Sequence, residues 1–194
     1  MSGVAETLKS WAVLEGVEDR RAKAGVGILA FVVATAFGAQ VAVPLPWTVV
    51  PMTLQPLFVI LAGAVLGPRL GAAAMTTYLM VGAAGMPVFS AGGAGLPWML
   101  GPTGGYLIAA PAAAFVAGWI IARSASVWMT AAGLAAGVAT MYVGGVAQLM
   151  ILTGDSFAQV FAFGVLPFLS GDVTKVLMAL AALRVVRPNS PQEL

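Results

Sequence analysis

Neither cysteine nor histidine occurs anywhere in the 194 residues. Without cysteine there is no disulfide, thiolate metal site or cysteine nucleophile. Without histidine the commonest general base and transition-metal ligand are missing. Charge is scarce as well: 9 Lys+Arg and 7 Asp+Glu make 8% of the chain, where a soluble domain carries about 25%. A net charge of +2 built from so few cations cannot neutralise a row of phosphates, so nucleic acid is not an expected partner. What fills the chain instead is apolar, with 60% hydrophobic residues and a mean hydropathy of +0.98. A globule of this size cannot hide that much apolar surface and keep a polar skin. A soluble enzyme is thereby excluded, and a polytopic integral membrane protein is expected.

The few charges are placed with order. Between Lys23 and Arg123 the only ionisable acid or base, tyrosine aside, is Arg69. Residues 24–68 and 70–122 form uncharged stretches of 45 and 53 residues, each long enough for two membrane spans of about 20. Pro44-Leu45-Pro46-Trp47 breaks the first, and the glycine-rich run from Gly85 to Gly105 breaks the second. Two further apolar runs follow. The pattern predicts an all-α protein of six transmembrane helices at about 24–43, 52–68, 70–89, 104–122, 127–152 and 170–187.

Six spans place Arg20, Arg21, Lys23, Arg69, Arg123, Arg184 and Arg187 on one side, while the outer connections at about 44–51, 90–103 and 153–169 contain no Lys or Arg. The positive-inside rule then puts both termini in the cytoplasm. No signal peptide is expected, because the first apolar run is too long and lacks a cleavage site. The chain divides into an N-terminal cytoplasmic segment (1–23), a six-helix membrane domain (24–187) and a cytoplasmic tail (188–194). Within residues 3–19, Leu8, Trp11, Val13 and Leu14 alternate with Glu6, Lys9, Glu15 and Glu18; this reads either as an amphipathic helix on the membrane surface or as a plain tail. Trp47 and Trp98 fall at outer span ends, and Trp119 and Trp128 at inner ones, as interfacial tryptophans do.

Polar groups inside a membrane segment are functional candidates, since each must find a partner in a poor solvent. Asp172 and Lys175 are the only ionisable residues set within a predicted span away from its cytoplasmic end. Their i, i+3 spacing puts them on one face of a helix beginning at Ser170 or Gly171. A self-satisfied pair is the plain reading, with Asp172 also favoured by the positive helix N-terminus. Lys175 sits at the wrong end of that dipole, where lysine and helix together would welcome an anion, and this favours a ligand site. Three prolines, Pro44, Pro46 and Pro51, stiffen the first outer connection into an extended segment. It is either a connector or a lid with Trp47 as an aromatic wall. Gln55 offers two donors and an acceptor inside the next span. The glycines of Ser90-Ala91-Gly92-Gly93-Ala94-Gly95 and Gly101-Pro102-Thr103-Gly104-Gly105-Tyr106 permit unusual backbone angles and close approach to a ligand, but no Walker ending is present. Ala30 and Ala34, four residues apart, form a small-residue groove for a neighbouring helix of this chain or of another protein.

Taken together these residues resemble the BioY family, the biotin-specific substrate-binding (S) components of energy-coupling-factor (ECF) transporters. The likeness runs from about residue 25 to residue 186. It rests on Pro44-Leu45-Pro46 through Pro51-x-Thr53-Leu54-Gln55, on Leu61-Ala62-Gly63-Ala64-Val65-Leu66-Gly67-Pro68-Arg69-Leu70-Gly71, and on Gly85-Met86-Pro87-Val88-Phe89. Leu100-Gly101-Pro102-Thr103-Gly104-Gly105-Tyr106 and Gly171-Asp172-x-x-Lys175 complete it. Some relatives carry an Asn in the glycine-rich loop, an Arg directly after the tyrosine and a Pro at position 50; here Gly93 or Ala94, Leu107 and Val50 stand there. Leu107 leaves Lys175 with more of the burden of a carboxylate.

The resemblance implies a six-helix S-component fold in the cytoplasmic membrane of a bacterium or archaeon, surrounded by lipid, with biotin held near the outer surface. It implies a biotin site of Asp172, Lys175, Tyr106, Gln55, Trp47 and Gly104. It gives Ala30 and Ala34 a role as the contact with an EcfT-type coupling subunit driven by two ABC-type ATPases. The chain itself would be no enzyme and would need no cofactor or metal. A self-sufficient biotin carrier, proton-coupled through Asp172 and working as a homo-oligomer without ATPases, is the alternative.

Overall fold

The computed structural model describes residues 20–124 and 126–186; the expectations for residues 3–19 and for the tail 188–194 lie outside them. Among the described residues the regular structure is helical apart from one pair of two-residue strands. Helix α1 (Arg20–Gln40) leads into β1 (Ala42–Val43) and β2 (Met52–Thr53), then α2 (Gln55–Leu66) and α3 (Pro68–Ala83). A 3-10 turn at Ser90–Gly92 and the short α4 (Gly95–Met99) precede α5 (Gly104–Ile121) and α6 (Val127–Thr153). Helix α7 (Phe157–Gly164) and a 3-10 turn at Leu166–Phe168 lead to α8 (Leu169–Val186). The strands pair antiparallel, Ala42 with Thr53 and Val43 with Met52, so the proline-rich connection between them is non-helical as expected but not extended: it reverses the chain through a turn closed by the Thr48 N–H donating to the Leu45 carbonyl.

Helices α1, α5, α6 and α8 begin and end within a few residues of the expected spans. The expected spans 52–68 and 70–89 hold shorter helices of 12 and 16 residues. Local backbone chemistry explains the shortening. Gly67 adopts φ +82° and ψ 174°, a conformation that needs glycine, and Pro68 then opens α3 because its missing N–H has no partner to lose there. At the far end Gly85 (φ +101°) and Pro87 prevent α3 from continuing. Among the described residues four segments are long and apolar enough to cross a membrane: Arg21–Gln40, Gly104–Ile121, Val127–Thr153 and Phe157–Arg184. Gln55–Leu66 is apolar but shorter.

Packing follows the membrane rule rather than the aqueous one. Leu29, Val33 and Phe37 form an exposed stripe along α1, and Val143 and Ile151 do the same on α6. Small residues line the interior, because apolar lipid gives helices no hydrophobic reason to associate and close backbone contact must supply it. A Cβ added to Gly105 would strike the Gly144 carbonyl, and one added to Gly144 would meet the Gly105 carbonyl. This reciprocal contact brings α5 and α6 together. Ala62, Ala74, Ala110, Ala113 and Ala114 continue the tight packing where α2, α3 and α5 meet.

Candidate functional site

Among the described residues five polar or charged side chains are buried: Thr35, Gln55, Ser90, Asp172 and Lys175. Thr35 is accounted for by helix geometry, its hydroxyl donating to the Phe31 carbonyl at 2.6 Å. The other four line one cavity that is partly open to solvent. Its walls come from the first turns of α2, α5 and α8, the middle of α6, β2 and the rim residues Ser90 and Thr103. Arg21, Lys23, Arg69, Arg123 and Arg184 all lie at the opposite helix ends.

The charged pair sits where α8 begins. Leu166–Phe168 turns the chain and α8 starts at Leu169, one or two residues earlier than expected, so Asp172 and Lys175 fall in its first two turns. The Lys175 ammonium donates to Asp172 Oδ1 at 2.6 Å, and the residues are 4% and 6% exposed. Desolvating two charges costs several kcal/mol per ion before their attraction is counted, and lone charges in a membrane mark function. The other carboxylate oxygen is also engaged, for the Tyr142 hydroxyl donates to Asp172 Oδ2.

Tyr106 stands edge-on to Tyr142, ring centroids 6.5 Å apart and planes at 81°. Its hydroxyl donates to the Gly164 carbonyl at 2.6 Å, which ties the end of α7 to the cavity wall. Gly145 makes room for the ring, since a Cβ there would overlap it. Gln55, 6% exposed, is held by its backbone N–H donating to Thr53 Oγ1 at 3.3 Å. Its carboxamide makes no hydrogen bond among the described residues, which leaves two donors and an acceptor at the cavity.

Asp172, Lys175, Tyr106 and Gln55 thus come together. Trp47 and Gly104 do not join them. Trp47 occupies the tip of the β1–β2 connection, 64% exposed and away from the cavity lining; from that segment Val50, Pro51, Met52 and Thr53 line the cavity instead. Gly104 is buried beneath the Met99 carbonyl, where a Cβ would collide; it shapes the turn into α5 without reaching the cavity. Leu107 is 3% exposed and part of the lining.

Two glutamines hold the rim. Gln148 Nε2 donates to the Met99 carbonyl at 3.0 Å and the Gly101 carbonyl at 2.6 Å. Gln40 Nε2 donates to the Phe89 carbonyl at 3.0 Å, and its Oε1 accepts from the Gly92 N–H at 3.1 Å. These bonds fix the backbone beside Ser90 and Thr103. Neither Tyr142 nor the glutamine clamps were expected from the sequence, although a polar side chain in mid-span is a signal for Tyr142.

A family model described as the BioY family matches residues 12–192. The chain belongs to the BioY family. A Pyrococcus horikoshii protein called a probable biotin transporter BioY is 40% identical over 160 residues, covering 82% of this chain and 93% of that one. The Thermotoga maritima biotin transporter BioY is 39% identical over 165 residues, covering 84% and 93%. The crystal structure of the S-component for biotin from an ECF-type ABC transporter superposes with a TM-score of 0.82 at 22% identity, covering 90% of this chain and 95% of that one. The BioY chain therefore has the S-component fold and belongs with multi-pass membrane transport proteins, not enzymes.

Proposed function

We propose that the chain binds biotin in this cavity and mediates its uptake as the substrate-specific subunit of an ECF-type transporter. The observation that carries the reading is the convergence on one cavity of four of the five buried polar side chains among the described residues, in a chain whose relatives are called biotin transporters. Biotin has a ureido ring with N–H donors and a carbonyl, an apolar thiophane and a carboxylate. Asp172 accepts from N–H, Lys175 donates to an oxygen, and Val138, Met141 and Phe168 supply apolar wall.

In this reading the chain crosses the cytoplasmic membrane of a bacterium or archaeon six times, with both termini inside. The cavity then opens outward, since the described cations outside it stand at the opposite helix ends. Ala30 is exposed and Ala34 half-buried, among the exposed Leu29, Val33 and Phe37. That face of α1 suits an EcfT-type coupling subunit, with two ABC-type ATPases supplying the energy.

Calorimetric titration of the purified chain with biotin, beside Asp172→Asn and Lys175→Ala, tests the ligand and the site. Tight wild-type binding weakened by both substitutions is expected; no heat from a folded wild-type sample overturns the assignment. Uptake in cells depleted of ATP separates the ECF reading from the self-sufficient carrier. Loss of uptake supports coupling to ATPases, and uptake that persists until the proton gradient is dissipated rejects it.

A further inference from the structure

Tyr142 was not among the residues expected at the site, yet its hydroxyl is bonded to Asp172 and its side chain lines the cavity. The direction of that bond has a consequence for any ligand. Asp172 is salt-bridged to Lys175 through Oδ1, and an ionised carboxylate has no proton to give. The proton between Tyr142 and Asp172 Oδ2 is therefore the tyrosine's. A phenol hydroxyl has one proton and can also accept, so once the proton is committed to Asp172 the oxygen offers a ligand only lone pairs.

We infer that Tyr142 is a ligand-binding residue whose hydroxyl oxygen, oriented by Asp172, accepts a hydrogen bond from a ligand N–H. This rests on the biotin reading and deepens it. Tyr142 Oη and the remaining lone pairs of Asp172 form adjacent acceptors. Lys175, with one of its three N–H groups engaged by Asp172, supplies donors beside them. The site thus matches ligands that carry N–H and carbonyl groups side by side, as a cyclic ureide does, and disfavours ligands presenting only acceptors. Lone pairs on Tyr142 facing a second acceptor would leave a buried polar group unpaired, the strongest basis for discrimination a pocket has. The other two tyrosines are donors elsewhere: Tyr78 to the Val88 carbonyl at 2.8 Å and Tyr106 to the Gly164 carbonyl at 2.6 Å.

The test compares wild type and Tyr142→Phe, each titrated with biotin and with biotin methylated on both ring nitrogens. The Phe variant keeps the ring that packs on Tyr106. Biotin affinity is expected to fall about tenfold, in line with one lost hydrogen bond in a charged network. The N-methylated analogue, already weak, is expected to change by less than about twofold. Equal losses for both ligands would mean that Tyr142 only shapes the pocket or steadies Asp172, and would overturn the inference. Unchanged biotin affinity in the Phe variant overturns it while leaving biotin as the ligand, whereas a wild-type chain that does not bind biotin overturns both. Raman spectroscopy of the wild type covers the case of a variant that does not fold. Among three tyrosines, biotin should move one from donor to donor-plus-acceptor in the ring Fermi doublet, and an unchanged doublet counts against the inference.

Discussion

Helices α5 and α6 build two unlike regions from the same pair of surfaces. Along the seam, Gly105 and Gly144 let the two backbones touch, and Gly118 brings α5 onto the Gly63 carbonyl of α2. At the cavity, Tyr106 on α5 and Tyr142 on α6 stand edge to face, and Phe168 ahead of α8 joins them in the lining. Gly145 makes room for the Tyr106 ring, and the two rings line the cavity together with the charged pair. Small residues bring these helices together, and a few large ones line the cavity beside that contact.

The difference between the regions can be broken from either side. The largest effect is expected at the ion pair. Lys175→Ala leaves Asp172 buried without its cation, which costs about 3–5 kcal/mol; biotin binding should become undetectable by titration, with a lower thermal midpoint. The double change Asp172→Leu with Lys175→Met should recover stability without binding, because a buried pair is often no more stable than an apolar one of similar volume. Recovery of binding in that variant would show that the ligand does not use the charges.

At the seam, Gly105→Ala pushes a methyl group into the Gly144 carbonyl, and overpacking of this kind costs about 1–3 kcal/mol. A fall in the thermal midpoint is expected. A biotin affinity that stays intact in the folded fraction would confirm that seam and cavity are separable, while a proportionate loss of affinity would show them coupled. Gln55→Leu acts in the opposite sense. Its carboxamide has no partner to lose, so stability should hold or rise, while affinity drops about tenfold through one missing ligand bond. The smallest effect is expected at Trp47→Ala: an exposed position outside the lining should alter affinity by less than about twofold, and a larger change measured by the same titration would give the tryptophan a lid's role.

Local features are legible in the amino-acid order. The places of α5, α6 and α8 follow from uncharged apolar runs bounded by glycine, proline or charge, and the shared face of Asp172 and Lys175 follows from i, i+3 spacing. The lengths of α2 and α3 are less so: the breaks near Arg69 and in the glycine-rich run are legible, but the residues at which the backbone leaves the helix, Gly67 and Gly85 with their positive φ, are not. Trp47 and Gly104 carry the residue types of a binding site. Whether such a residue meets a cavity depends on the path of the backbone around it, which no spacing encodes.

Sequence by itself determined the solvent of this protein, its helical character and the charges that a membrane interior would not hold without purpose. Each of these is a property of single residues or of neighbours within one or two helical turns. Only the tertiary structure decided that Tyr142, 30 residues from Asp172, would commit its proton there, that Gln148 would grip Met99 and Gly101, and that Gln55 would be left with its amide free. Those outcomes depend on how closely helices distant in the chain approach one another, a distance set jointly by every glycine and every ring between them.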